Sequence, residues 1–216
     1  MFALVIPALW LSRSPPTAIR RITRVWARGV LALLAAVTGV RYIERGRELL
    51  PPKPCLIVAN HQSTWETIAA LVLFPDVAIV AKRELLKIPV MGWYLEHSPM
   101  VVIDRADAAK ALREMTAACR AALSEGRSVL IFPEGTRRAP GSPVIFKRGV
   151  EFLYRTLGVP AVVVTHDSGH HWKRDGLLSP GVIGVTILPP IAPGLNAAQF
   201  VRTAQTMMGA AQKEIP

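Results

Sequence analysis

Asn60-His61-Gln62-Ser63-Thr64-Trp65-Glu66 sets an imidazole and a carboxylate five residues apart, where the apolar run Cys55-Leu56-Ile57-Val58-Ala59 ends. On a regular helix, at roughly 100° per residue, the two side chains would diverge by about 140°. The spacing therefore predicts that His61 precedes a helix. Ser63 and Glu66 form an S-x-x-E capping box, with Ser63 at the N-cap and Glu66 at the third helical position. The chain then folds back, so that the Glu66 carboxylate can hold one ring nitrogen protonated and leave the other free to accept a proton. That is the base-and-orienter half of a catalytic triad. It needs no serine nucleophile if the substrate brings its own hydroxyl. A plainer reading is a capped helix beside a satisfied loop histidine, and this stretch alone leaves both open.

A second apolar run, Val129-Leu130-Ile131-Phe132, passes into Pro133-Glu134-Gly135-Thr136-Arg137-Arg138. Arg105, Arg137, Lys147 and Arg148 offer cations for a phosphate, since guanidinium forks match phosphate oxygens bidentately and lysine supplies a point charge. Arg138, Arg148 and Lys173 read equally as solvated surface charges. Glu134, beside Gly135, reads as an acceptor that ties its own turn down.

These stretches occur in an order that resembles the glycerolipid acyltransferase family, and especially its bacterial 1-acyl-glycerol-3-phosphate (lysophosphatidic acid) acyltransferases. The family's His-x4-Asp block is matched by His61 to Glu66, and its Ile-Asp-Arg block by Ile103-Asp104-Arg105. Its Phe-Pro-Glu-Gly-Thr-Arg block is matched by residues 132 to 137. Phe146-Lys147-Arg148-Gly149 and Val159-Pro160 match its last block, so the likeness runs from residue 55 to about 195. The departure is Glu66, one methylene longer than the usual aspartate. The resemblance implies that His61 is a general base oriented by Glu66, and that Arg105 and Arg137 bind the acceptor's phosphate. It sets Glu134, Gly135, Thr136 and Lys147 beside that phosphate, so that Glu134 has two readings. It also implies acyl-CoA or acyl carrier protein as co-substrate, with no cofactor or metal. Two alternatives stand beside it: acyl transfer to another lyso-lipid, such as a lyso-amino-lipid, and a non-catalytic membrane-lipid binding protein with the same fold.

The elements that must position these residues are legible as alternating patterns. Candidate strands lie at 55–59, 77–81, 100–103, 128–132, 161–165 and 182–188, with helical periodicity between them, clearest over 106–124 and near 197–213. This predicts an α/β fold: a single domain with a mostly parallel central sheet flanked by helices. Asn60-His61, Lys82, Asp104-Arg105, Pro133-Glu134 and His166 all follow strand carboxyl ends, the edge at which open α/β sheets bind ligands. His166 and His170 have a metal-like spacing, but Gly169 breaks a helical presentation between them. The family carries a similar Asn-Ser-Gly stretch here, matched by Asp167-Ser168-Gly169 with Trp172 after it. No G-x-S-x-G elbow occurs.

At 216 residues the chain is one domain's worth, and Cys55 and Cys119 are too few and too apolar in setting for a disulfide framework. They read as buried thiols in a reducing compartment. A net charge of +11 with 51% apolar residues points to an anionic partner. With aromatics at only 6% and no groove-reading module, that partner is expected to be anionic membrane lipid and not nucleic acid. Residues 2–11 are apolar but too short to span a bilayer, and Pro7 interrupts them. Arg13, Arg20, Arg21, Arg24 and Arg28 then alternate with Ile19, Ile22, Val25 and Trp26. A basic helix with an apolar face predicts a monotopic segment lying in the headgroup plane, though a helix packed on the core has the same pattern. The division expected is a membrane-associating helical segment over 1–45 and an acyltransferase domain over 46–216, on the cytoplasmic face of the inner membrane.

Overall fold

Leu56-Ile57-Val58-Ala59 is buried on both sides, the signature of a central parallel strand with helices over each face. In the computed structural model, which describes residues 14–104 and 108–214, this segment is β2, near the middle of a seven-stranded sheet. The strands are β1 (Val40–Arg45), β2 (Leu56–Ala59), β3 (Val77–Lys82), β4 (Val101–Ile103), β5 (Ser128–Ile131), β6 (Ala161–His166) and β7 (Gly181–Ile187). Their order across the sheet is β1-β7-β6-β2-β5-β3-β4. All pairings are parallel except β6 with β7, which turns β7 and its partner β1 against the rest.

Period-two alternation splits the core into two layers. Leu56, Val58, Val129, Ile131, Ala161 and Val163 face one side. There they meet α4 (Ala108–Ser124), α5 (Arg148–Leu157) and α7 (Ala197–Glu214), through Cys119, Leu153, Phe200 and Met208 among others. The rings of Tyr154 and Phe200 stack with centroids 3.9 Å apart. Cys55, Ile57, Ala59, Leu130, Val162 and Val164 face the other side, against α1 (Pro16–Thr38) and α2 (Trp65–Leu73). Both cysteines are free and buried. Burial pushes both thiols up, Cys119 to about 12.

All six expected strands form within a residue or two of their predicted limits. β1 is the addition. It lies within the stretch assigned to the N-terminal segment, yet pairs in parallel with β7 from Val40 opposite Gly181 to Arg45 opposite Thr186. α1 begins with proline in its first turn and ends at Gly39, whose φ of 73° caps it in the left-handed region. Its Ile19, Ala27 and Leu31 are buried, and Arg20 pairs with Asp76 at 3.0 Å. Its opposite face leaves Val25 66% and Val37 73% exposed, with Ile22 and Leu33 between. The helix is thus packed on the core along one side and apolar along the other. No helix among the described residues is long and apolar enough to cross a membrane. The apolar stretch 2–11, Arg13 and Arg105 lie outside the described residues.

Candidate active site

α2 begins at Trp65, one residue later than the capping box places it, and this changes which hydrogen bonds form. Ser63 Oγ accepts the N–H of Trp65 at 3.0 Å, and the Ser63 N–H donates to Glu66 Oε1 at 2.8 Å. The Gln62 N–H donates to the same oxygen at 2.8 Å. That oxygen lies 2.7 Å from His61 Nδ1. Because Glu66 is ionised, Nδ1 carries a proton toward it, and Nε2 has no partner among the described residues. Burial alone would raise the Glu66 carboxyl. The imidazoles of His166 and His61, together with hydrogen bonds from His61 and Ser63, outweigh it and hold the carboxyl well below the ordinary carboxylate range. The pair expected from the sequence is therefore brought together, with the carboxyl held on its ionised side.

Three further contacts fix the imidazole. Its ring stacks on Phe132, centroids 4.3 Å apart and planes 20° from parallel. Its backbone N–H donates to Glu134 Oε2 at 2.8 Å, and its carbonyl accepts the Arg138 N–H at 2.7 Å. The turn after β5 thus clamps the turn after β2. Glu134 is buried and makes the tie that one of its two readings expects, and it is not among the residues that line the cavity described below. Burial raises its carboxyl to about 7, with Glu66 adding to the rise and the His61 N–H and Arg138 opposing it.

That shift has a direction in pH. With a folded value near 7 and an ordinary one of 4.5, the folded state holds a proton that the unfolded chain releases between the two. Stability contributed by Glu134 is full below the ordinary value and falls as pH rises through about 7. Glu134→Gln keeps an acceptor for the His61 N–H and removes the titration. The melting temperature of this variant relative to the unsubstituted protein is expected to climb from pH 5 to pH 8, by up to about 3 kcal/mol in stability. A constant difference across that range would show that the carboxyl does not titrate there.

His61 opens on a cavity of about 1200 Å³, larger than a typical small-ligand pocket. Its apolar lining includes Leu71, Ile79, Leu85, Tyr94, Leu95 and Met100. The same lining includes His61 and Gly135, Thr136, Arg137 and Lys147, four of the six acceptor-binding residues expected from the sequence, with Lys82, Arg148 and Arg174. Arg137 and Lys147 make no ion pair among the described residues. The first turn of α5 adds the positive end of a helix dipole to the same wall. Sequence reasoning missed Arg174, the stacking of Phe132 and the α5 N-terminus. A strand-end position was the signal for Phe132; for Arg174 there was none.

His166, the other histidine at this edge, is spent on structure. Its backbone N–H donates to Asn60 Oδ1 at 2.9 Å, its carbonyl accepts a hydrogen bond from Asn60 Nδ2 at 2.8 Å, and its Nε2 lies 2.8 Å from the Asn60 carbonyl. Burial pushes its pKa down, with the Glu66 carboxylate and the Asn60 carbonyl opposing. His170 is exposed.

The carboxylate-held imidazole lies at the carboxyl edge of the sheet, where open α/β sheets bind ligands. A family model described as Acyltransferase matches residues 41–167, and the chain belongs to that family. It is 39% identical over 171 residues to the 1-acyl-sn-glycerol-3-phosphate acyltransferase of Pseudomonas aeruginosa, covering 79% of this chain and 66% of that protein. It is 32% identical over 157 residues to the human 1-acyl-sn-glycerol-3-phosphate acyltransferase alpha, covering 71% of this chain and 56% of the relative. It therefore spans between about half and two thirds of these relatives. The crystal structure of the 1-acyl-sn-glycerophosphate (LPA) acyltransferase PlsC from Thermotoga maritima shares the fold, with a TM-score of 0.77 at 24% identity over 98% of this chain and 88% of that one.

Proposed function

We propose that this protein moves an acyl chain from acyl-CoA or acyl carrier protein to the free hydroxyl of 1-acyl-glycerol-3-phosphate, giving phosphatidic acid. The observation that carries the proposal is the unpartnered Nε2 of a Glu66-held imidazole on a cavity lined by both apolar side chains and cations. His61 Nε2 takes the acceptor's hydroxyl proton as its oxygen attacks the thioester carbonyl. Glu66 stabilises the imidazolium that forms, and the proton then passes to the departing thiolate. Arg137 and Lys147, with Arg105, bind the acceptor's phosphate beside Gly135 and Thr136, and the apolar part of the cavity takes acyl chain. The residues present need no metal for these steps. The relatives' names, all of acyltransferases on 1-acyl-sn-glycerol-3-phosphate, support the acceptor.

The test is a competition. Purified protein is given a long-chain acyl-CoA with equal amounts of lysophosphatidic acid and a lyso-lipid that has no phosphate monoester. Phosphatidic acid is expected to be the main product. A preference for the phosphate-free acceptor would remove the headgroup assignment and leave the acyl transfer.

The protein reaches its acceptor by lying on anionic lipid through α1. Ile22, Val25, Leu33 and Val37 form one exposed stripe, flanked by Arg21 and Arg28, while Thr23 and Trp26 of the same helix line the cavity. Because α1 also packs on α2, deleting it would strip the core, and surface substitution is the cleaner probe. Val25→Glu with Leu33→Glu is expected to lower co-sedimentation with anionic vesicles severalfold without changing the melting temperature. Added salt is expected to weaken binding of the unsubstituted protein. Equal vesicle binding by the double variant would place the contact elsewhere.

A further inference from the structure

Glu66 reaches further than an aspartate would, and its second oxygen ends among two hydroxyls. Oε2 accepts Ser63 Oγ at 2.6 Å and Ser168 Oγ at 2.8 Å. The hydroxyls are themselves 2.8 Å apart. Three oxygens thus share two hydroxyl protons, and the anion, as the strongest acceptor, draws both. The remaining donors to Glu66 come from His61 and from Gln62 and Ser63, which belong to its own turn. Ser168 alone comes from a separate element, the turn after β6, and it is fully buried.

That turn is bolted in place on either side of the serine. The Asn60 and His166 pair joins it to the end of β2, and the Gly169 N–H donates to Gln62 Oε1 at 3.1 Å. A side chain at Gly169 would meet Pro140 Cγ at 2.9 Å and Gln62 Cβ at 3.0 Å, so the approach requires glycine. Ser168 is therefore a rigid donor, whereas Glu66 has one more rotatable bond than an aspartate and needs an external stop.

We propose that Ser168 is a positioning residue for acyl transfer: by holding Oε2 it fixes the carboxylate plane, so that Oε1 stays on His61 Nδ1 as the imidazolium forms. This rests on the reading of His61 as the base. It also explains how the longer carboxylate serves in this chain, since the extra methylene carries Oε2 to Ser168.

The test is kinetic, with folding checked by thermal melting. Ser168→Ala removes the donor, and Ser168→Cys keeps a side chain of similar shape with only a weak donor. Both are expected to lower kcat about tenfold or more, as loss of a charge-assisted hydrogen bond does, with KM for acyl donor and acceptor within about twofold of the original. In a Glu66→Asp background the carboxylate is withdrawn by about one bond length, ~1.5 Å. There Ser168→Ala is expected to change kcat less than about twofold, a non-additive cycle. Full turnover in Ser168→Cys, a loss confined to KM, or an equal loss in both backgrounds would overturn the proposal. His61→Ala, assayed alongside, separates the two claims. If it too keeps turnover, the base assignment fails; if it is inactive while both Ser168 variants are unimpaired, only the positioning role fails.

Discussion

His61→Ala is expected to lower turnover by about 10²–10⁴-fold, the usual contribution of a positioned general base. The fold should survive, because the imidazole sits in a turn, 16% exposed, and its backbone ties to Glu134 and Arg138 do not depend on the side chain. Glu66→Gln is the sharper control. Its amide oxygen can keep the three N–H donors that Oε1 now accepts, and its NH₂ can donate to Ser63 and Ser168, whose hydroxyls rotate to receive it. What it loses is the charge that steadies an imidazolium. It is therefore expected to fold normally and turn over slowly. Near-normal turnover in folded His61→Ala would remove the catalytic assignment.

The second large effect concerns the acceptor's phosphate. Arg137→Ala is expected to raise KM for lysophosphatidic acid about ten- to a hundredfold, since a hydrogen bond to a charged group contributes about 1.5–3 kcal/mol. Arg137→Lys should restore only part of it, because the planar fork is gone. Lys147→Ala should act in the same direction and more weakly, as a point charge on an exposed side chain. The same substitutions should leave a phosphate-free acceptor nearly unaffected. Equal losses on both acceptors would show that these cations serve the acyl donor or the fold.

Much of this site was legible because parallel strands announce themselves. Leu56 to Ala59, Val129 to Ile131 and Ala161 to Val164 are apolar without interruption, so their carboxyl ends, and the polar residues just beyond them, could be placed from the pattern alone. The sheet then did what its topology requires and brought those ends to one edge. β1 was hidden because Arg41, Glu44 and Arg45 interrupt its pattern straight after a helix. Its stability comes from β7, a partner far along the chain that periodicity does not reveal. The antiparallel turn of β7 was equally invisible. The His61 and Glu66 pair was read from local spacing, but the reach of Ser168 across to Glu66 is a tertiary contact. Glu134 shows the limit in another way: its burial and its bond to the His61 N–H are tertiary facts that the sequence does not carry.

The most direct measurement follows both products of one reaction. Purified protein, on anionic vesicles containing lysophosphatidic acid, is supplied with acyl-CoA, and free thiol and phosphatidic acid are quantified together. The two are expected to appear in equal amounts, and both to vanish in folded His61→Ala. Thiol release without phosphatidic acid would make the protein a thioester hydrolase, and no turnover by the folded protein would make it a lipid binder; either result would contradict acyl transfer.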